Sequence, residues 1–233
     1  MAALTRYDRA VDLPVPCNCS FVQYTPGMRA LSYAPKSLEI TELPLARVVP
    51  TGRLVELSGR AGCARTTVAV ALVRQAQADG EPVAWVQPEN GSLYPPDLFE
   101  SGVDLSALVV VHVPRRERDR GLSNARAVEL LLRSGAFGLV VVDLTDEHVH
   151  HSLDWQSRLD GLARKHGSRL VLLTQSDDHA PSLGPMVALR IEPRRERCGP
   201  GRFLLDHRVL KAKALSSKLA GLRDRHRAPA GLG

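Results

Sequence analysis

From Arg53 onward, short apolar runs alternate with longer amphipathic stretches, and this alternation constrains the fold more than any other feature of the chain. Strands that are apolar on both faces are typical of a parallel sheet covered by helices on each side. The pattern therefore predicts an α/β fold with a mostly parallel central sheet flanked by helices. The predicted strands are Arg53–Ser58, Val83–Gln87, Ala107–Val113, Gly138–Asp143 and Arg169–Thr174, and the predicted helices are Thr66–Ala78, 123–134 and Ser152–His166.

The two ends of the chain differ from this middle part. Residues 1–50 contain six prolines and little periodicity, which predicts an irregular N-terminal arm. The alternating core is expected over 51–209, and its last strands, Val187–Ile191 and Phe203–Leu205, have no helix between them, which indicates an antiparallel edge. Residues 210–233 are expected to form a basic C-terminal helix and tail, with Leu215, Leu219 and Leu222 on one stripe.

The composition is that of an ordinary globular protein, with 44% hydrophobic and 24% charged residues. Apolar runs such as Leu139–Val142 are far shorter than the ~20 residues that span a bilayer. Charged residues occupy the N-terminus where a signal peptide needs an apolar stretch. We therefore expect a cytoplasmic protein with no membrane partner.

Cysteine and histidine residues give little support for a metal site. The four cysteines are too few and too scattered for a disulfide framework, and Cys17 and Cys19 form a lone C-x-C without a second ligand pair. The cluster His148, His150 and His151 is interpreted as an exposed polar loop. The run 177–179 (Asp-Asp-His) is interpreted as a solvated turn.

Positive charge is concentrated near the C-terminus. The whole chain carries a formal charge of +6, but nine Arg and three Lys against four acidic residues give residues 190–227 a charge of +8, which leaves −2 for the remainder. This asymmetry predicts an acidic partner, either nucleic acid or an acidic protein surface. The alternative is a solvated basic helix without a partner.

The turn Gly59–Thr67 follows the first predicted strand, at the edge of the sheet where ligands bind in this fold class. It resembles the pattern G-x-x-x-x-G-K-[ST], whose backbone N–H groups and lysine hold phosphates. Gly59 and Thr66 match that pattern, whereas Ala64 replaces the second glycine and Arg65 replaces the lysine. An alanine Cβ crowds the approach of an oxyanion, and a guanidinium is longer and planar. We therefore expect a degenerate phosphate site that includes Thr67.

Two carboxylates follow other predicted strands. Asp143 closes the strand Gly138–Asp143, where such proteins hold Mg²⁺, and it would share the ion with Thr66 if a nucleotide binds. Glu89 comes just after the second strand and would orient an attacking water if the protein is an ATPase. Each of the two carboxylates has the alternative of being a solvated loop residue.

The chain resembles the RecA recombinase family over roughly residues 44–214. The resemblance implies that Gln175 stands where RecA has the glutamine that senses the γ-phosphate. It also implies that Lys211 and Lys213 stand where RecA reaches a neighbour's nucleotide across a filament interface. The segments that carry the resemblance are 51–59, 65–67, 83–89, 101–105, 133–143, 174–175 and 209–213.

The differences from RecA indicate which group of RecA relatives the chain resembles. The loops after Asp143 and Gln175 are shorter than those that line the DNA channel of RecA, and a proline-rich arm replaces the filament-forming helix. A RecA-like core with these losses resembles the ImuA family, shortened RecA relatives that work with ImuB in bacterial damage-induced mutagenesis.

This resemblance implies an accessory protein of the SOS response and translesion DNA synthesis. The partners it implies are RecA, an ImuB-type polymerase homologue and DNA. No cofactor is expected, and ATP with Mg²⁺ held without turnover is the alternative. Two other functions stay open at this point: an active DNA-dependent ATPase that uses Arg65, Glu89 and Asp143, and a DNA-binding module based on the basic tail.

Overall fold

A computed structural model describes residues 45, 49–91, 93–114, 122–145, 153–177, 179–213 and 223–227. Eight strands within these ranges form one sheet in the order β3-β2-β4-β5-β1-β6-β7-β8. Strands β1 to β6 run parallel where they pair, and β7 and β8 add an antiparallel edge. The strands are β1 (Leu54–Ser58), β2 (Val83–Pro88), β3 (Leu108–Val113), β4 (Leu139–Asp143), β5 (Arg169–Thr174), β6 (Val187–Gly199), β7 (Arg202–Ala212) and β8 (Arg223–Arg227).

Helices cover both faces of this sheet. They are α1 (Arg65–Ala78), α2 (Pro95–Glu100), α3 (Leu122–Ser134) and α4 (Leu153–His166), with a single 3₁₀ turn at Leu105–Ala107. The apolar side chains of the strands alternate between two buried clusters, one packed on α1 and the other on α3 and α4. The predicted fold class, a mostly parallel sheet between helices with an antiparallel edge, is confirmed.

The parallel order places several chain segments at one edge of the sheet. The segments that follow β1, β2, β4 and β5 all leave the sheet at its carboxyl edge. Because β5 lies between β1 and β4, the turn after β1 is next to the end of β5 and one strand further from the end of β4. This edge contains the candidate functional residues.

The C-terminal helix predicted from Leu210 is wrong within the described residues. Leu210 belongs to β7, and Arg223–Arg227 forms β8, which pairs with Arg202–Asp206 of β7. The prediction failed because the open edge of β7 takes up a strand whose sequence, Arg-Asp-Arg-His-Arg, has no apolar alternation. Leu215, Leu219 and Leu222 lie outside the described residues.

The other boundaries differ in smaller ways. Strands β6 and β7 are longer than predicted because their outer halves pair with each other away from the core. Leu45 and Val49, assigned to the irregular arm, are buried in the cluster that packs on α1. The rest of the arm, with Cys17 and Cys19, and the histidine cluster at 148–151 lie outside the described residues.

No described helix is long and apolar enough to cross a membrane. The described ranges also contain no group of three or more His, Cys, Asp or Glu residues placed to hold a metal ion.

Substitution of two leucines of α3 tests how this helix packs on the sheet. Leu132 is 1% exposed in the cluster beneath α3, whereas Leu130 is 58% exposed. We expect Leu132→Ala to lower the free energy of unfolding by about 2–5 kcal/mol, because it leaves a cavity against the sheet. We expect Leu130→Ala to change it by less than about 0.5 kcal/mol. Urea unfolding followed by circular dichroism measures both, and equal losses would contradict the packing described.

Candidate functional site

The turn after β1 enters α1 through a strained residue. Ala64, at the N-cap of α1, has φ 69° and ψ 22°, the left-handed conformation. It is the one non-glycine residue with positive φ in the described part of the chain. A Cβ in this conformation costs about 1–2 kcal/mol. The turn therefore keeps a backbone shape that suits glycine, although the sequence supplies alanine.

Arg65, the first residue of α1, folds back into this turn. Its side chain is buried, and its Nη1 donates hydrogen bonds to the carbonyl oxygens of Gly59 and Thr174, the latter at 2.8 Å. Thr174 is the last residue of β5, next to Ser58 of β1 in the sheet. The guanidinium thus ties the beginning of the turn to the end of the neighbouring strand.

Cys63 and Glu192 also pack against the start of the turn. A Cβ built on Gly59 would lie 2.7 Å from the Cys63 sulfur and 3.4 Å from Cγ of Glu192, so this position admits only glycine. Burial raises the pKa of the Cys63 thiol, while the nearby Arg65 acts in the opposite direction. The thiol therefore stays protonated at neutral pH and packs against Gly59 at the start of the turn.

The predicted helix and strand hold three of the predicted site residues. Thr66 and Thr67 are on α1, and Asp143 is on β4. The two threonines are exposed in the first turn of α1. Asp143 ends β4 and is buried, and its Oδ1 accepts hydrogen bonds from the backbone N–H and the hydroxyl of Thr145, at 3.0 and 2.7 Å. Because β5 separates β4 from β1, the ends of these two strands are about 10 Å apart.

Glu89 and Gln175 lie at the same edge of the sheet and are exposed. The backbone N–H of Glu89 donates to the carbonyl of Val113 at 3.1 Å, which joins the end of β2 to the end of β3. Glu89 is thus one strand further from the turn than Asp143. Gln175 follows Thr174 directly and is the closer of the two to Arg65. The structure therefore brings the turn and Gln175 together, and it places Asp143 and Glu89 progressively further along the edge.

Lys211 and Lys213 point back onto their own chain. The Lys211 ammonium donates to the Ser182 hydroxyl and to the Gly184 carbonyl, each at 2.9 Å, and Lys213 donates to the Pro185 carbonyl. Burial and the neighbouring Lys213 lower the pKa of Lys211. Both lysines hold the segment between β5 and β6.

Sequence reasoning missed a buried ion pair at the centre of the site. Glu56 of β1 and Arg190 of β6 are 1% and 3% exposed and stand opposite each other in the sheet, with Arg190 Nε 3.8 Å from Glu56 Oε1. Glu56 accepts hydrogen bonds from the Thr174 hydroxyl at 2.8 Å and from the Leu183 backbone N–H at 2.9 Å. The available signal was a single charged residue in β1 and another inside the apolar stretch Val187–Ile191 that begins β6.

Arg190 also fixes the segment between β5 and β6. It donates to the hydroxyls of Ser58 and Ser176 at 2.7 and 2.9 Å, to the Asp177 carbonyl at 2.9 Å and to the Ala180 carbonyl. Arg60 of the turn contacts the Asp177 carboxylate at 2.8 Å. This segment is therefore held against the sheet at several points, and the exposed Asp177 carboxylate contacts Arg60 at the surface, as a solvated turn allows.

Comparison with known proteins agrees with this architecture. Residues 31–153, just over half of the chain, match the RecA N-terminal domain family. The RecA proteins of Clostridium tetani and Mycobacterium ulcerans are each 36% identical over 95 residues, and that of Thermus aquaticus is 37% identical over the same length. These stretches cover 41% of this chain and 25–26% of the relatives, so the chain matches about a quarter of their length.

The ion pair gives a test of the site's architecture. Breaking a buried ion pair by removing one partner leaves the other charge uncompensated and costs about 3–5 kcal/mol. We expect Arg190→Met to lower the free energy of unfolding by that amount and to expose residues 175–186 to limited proteolysis. Arg126→Met on the exposed face of α3 is the matched control and should change stability by less than about 0.5 kcal/mol. A neutral effect of Arg190→Met in urea unfolding would contradict this role.

Proposed function

The chain belongs to the RecA N-terminal domain family, and we propose that it is a RecA-like accessory protein of bacterial DNA repair that works without hydrolysing a nucleotide. In this proposal the protein acts in the SOS response and in translesion DNA synthesis, as members of the ImuA family do. Its partners are RecA and an ImuB-type polymerase homologue. The observation that carries the proposal is the placement of Arg65, whose guanidinium binds carbonyls of its own chain at the position where a phosphate-binding turn offers its lysine.

Three further observations support the absence of ATP turnover. The Cys63 and Glu192 side chains pack beside Gly59 at the start of the turn, and Oδ1 of Asp143 accepts two hydrogen bonds from Thr145. A triphosphate needs free backbone N–H groups and a cation in the turn, and Mg²⁺ needs an available carboxylate. These contacts support the proposal that the turn does not hold ATP with Mg²⁺, and we derive no catalytic step for Glu89 or Gln175.

The open edge of β3 supports docking on a protein partner. Among the described strands, β3 pairs only with β2, and its Val109 is 38% exposed. An edge strand presents unpaired N–H and C=O groups to a strand of another chain. Phe99 in α2 and Tyr94 at its N-cap are exposed large apolar side chains that precede this strand. We propose that a RecA protomer adds a strand here, so that this protein takes the place of a filament neighbour.

DNA is the third proposed partner. The basic segment 190–227 contributes most of β6, which pairs parallel with β1, and the antiparallel strands β7 and β8 at the edge of the sheet. The segment between β5 and β6 is pinned by Arg190 and Lys211, so it is not offered as an extended DNA-binding loop. In this proposal, DNA contacts the antiparallel edge of the sheet, which is formed by β7 and β8.

Restoring the phosphate-binding residues tests the nucleotide part of the proposal. We expect the wild-type protein to release no phosphate from ATP, with or without single-stranded DNA. Ala64→Gly with Arg65→Lys should raise affinity for a fluorescent ATP analogue at least about tenfold, because glycine relieves the strain of the left-handed position and lysine leaves the carbonyls of Gly59 and Thr174.

The matched control is Ala61→Gly with Arg60→Lys, which makes the same two changes in the same turn and should leave affinity unchanged. Wild-type phosphate release that disappears in Glu89→Gln would replace this proposal with the active ATPase.

Capture of purified RecA tests the docking part. We expect immobilised wild-type protein to bind RecA, and Val109→Arg to weaken this binding at least about tenfold, because a charge is placed on the apolar edge strand. Leu130→Arg on α3 introduces the same charge at another exposed apolar position and should have little effect. Equal binding by the Val109 variant and the wild type would reject docking at β3.

A further inference from the structure

The edge strand β3 is apolar except for one side chain. Its sequence is LVVVHV, and His112 is the residue in it whose side chain forms hydrogen bonds. Edge strands commonly carry lysine, proline or a bulge that prevents pairing with another chain. β3 has none of these, and it pairs with β2 residue for residue without a register shift. Within β3, only His112 can therefore distinguish one partner strand from another by polarity.

His112 is half-buried on the face of the sheet that packs on α1. Strand alternation places it on the same face as Leu108, which packs against the buried cluster under α1. The strand register places His112 beside Gln87 of β2. These two side chains therefore project on one face from neighbouring strands that lie about 4.8 Å apart.

Gln87 brings an unsatisfied acceptor to this position. It is 2% exposed, and its Oε1 has no hydrogen-bond partner. The carboxamide packs against Gly91, where an added Cβ would lie 2.4 Å from Oε1. The turn that contains Gly91 is itself bound to the end of β3, because the Glu89 N–H donates to the Val113 carbonyl. A buried carbonyl oxygen without a donor is unfavourable, so a donor from β3 would stabilise this corner of the sheet.

The imidazole of His112 is the nearest side chain of β3 that offers such a donor. No hydrogen bond joins its ring to another described residue, and its half-exposed position leaves it open to water. A strand added to β3 would cover the ring and remove that water. Neutral imidazole has one N–H donor and one acceptor nitrogen. If Gln87 Oε1 takes the donor, the acceptor nitrogen is left for the partner.

We propose that His112 is the specificity-determining residue of the β3 edge. In the docked state its ring N–H donates to Gln87 Oε1, and its second nitrogen accepts a hydrogen bond from a donor side chain on the added strand. A hydroxyl or an amide supplies that donor, whereas a carboxylate only accepts. This inference rests on the proposed docking at β3 and names the chemistry of the segment that docks there.

The rest of β3 determines the other positions of that segment. An added strand meets Val or Leu on both faces except at the position opposite His112. The preferred segment is therefore apolar with a single donor side chain. A slip of one residue would turn that donor to the other face of the sheet, and a slip of two would bury it against an apolar residue. His112 thus also fixes the register of docking.

Substitution of Gln87 tests the inference without changing the docking strand. Because Oε1 is unpartnered in the free protein, Gln87→Met should leave the Tm unchanged or raise it. We expect it to weaken capture of purified RecA about 3- to 10-fold, which corresponds to one lost hydrogen bond. Gln75→Met on α1 is the matched control, since it makes the same change at a half-buried position away from β3, and it should change affinity less than about twofold.

Variants of His112 test whether Gln87 acts through the imidazole. His112→Phe keeps a planar ring without its nitrogens and should also weaken capture about 3- to 10-fold. The double variant with Gln87→Met should bind no more weakly than His112→Phe alone. His112→Gln retains a donor and an acceptor and should bind within about threefold of the wild type. Additive losses in the double variant, or capture by His112→Phe that equals or exceeds the wild type, would overturn the inference.

Three short peptides test the chemistry of the partner strand directly. They share an apolar centre flanked by lysines and differ only in having threonine, aspartate or valine at one central position. At pH 8 the threonine peptide should bind the wild type most tightly in fluorescence anisotropy, and this preference should disappear in His112→Phe. A preference for aspartate, or one that His112→Phe leaves intact, contradicts the assigned hydrogen bond.

The same measurements separate this inference from the proposed function. If the wild type captures no RecA but selects the threonine peptide through His112, RecA is rejected as the partner and the specificity stands. If RecA is captured and lost in Val109→Arg, while the His112 and Gln87 variants bind as the wild type does, docking stands and this inference is rejected. Failure of both RecA and the peptides to bind rejects docking at β3 and the inference together.

Discussion

The ion pair between Glu56 and Arg190 holds together the two parts of this sheet. Glu56 is on β1, inside the parallel part, and Arg190 is opposite it on β6, where the antiparallel edge begins. Two charges can be buried at this junction because both Glu56 oxygens accept hydrogen bonds and the Arg190 guanidinium donates to surrounding oxygens. The segment between β5 and β6 takes its position from this pair, and the turn after β1 is tied to the same place through Thr174.

The candidate site combines the sheet and turn of a RecA N-terminal domain with side chains that contact their own chain at that turn. The sheet order, the turn before α1 and the carboxylate at the end of β4 are all present. Arg65 and Cys63 nevertheless bond or pack within the chain at this turn, and Lys211 bonds to Ser182 and Gly184. Fold and activity are separable in this way because the fold depends on buried apolar strands, whereas the activity depends on a few side chains at the strand ends.

Much of the fold and part of the site could be predicted from local pattern. The first five strands along the chain are mainly apolar runs, as expected of a sheet covered by helices, and their predicted ranges agree with β1 to β5 to within a residue or two. The turn at Gly59 was found because its position between a strand and a helix is itself a pattern. The outer half of β6 and all of β8 were missed, because arginine-rich strands have no apolar period and form only where a neighbouring edge is available.

The sequence by itself determined the layers of the molecule, the position of the turn after β1 and the substitutions Ala64 and Arg65 within it. Only the tertiary structure decided what those residues contact. A guanidinium can reach either a phosphate or a backbone carbonyl, and the choice depends on Thr174, which is 109 residues away in the chain from Arg65. The same holds for Glu56 and Arg190, since a charged residue in an apolar strand is explained only by the partner that the sheet brings beside it.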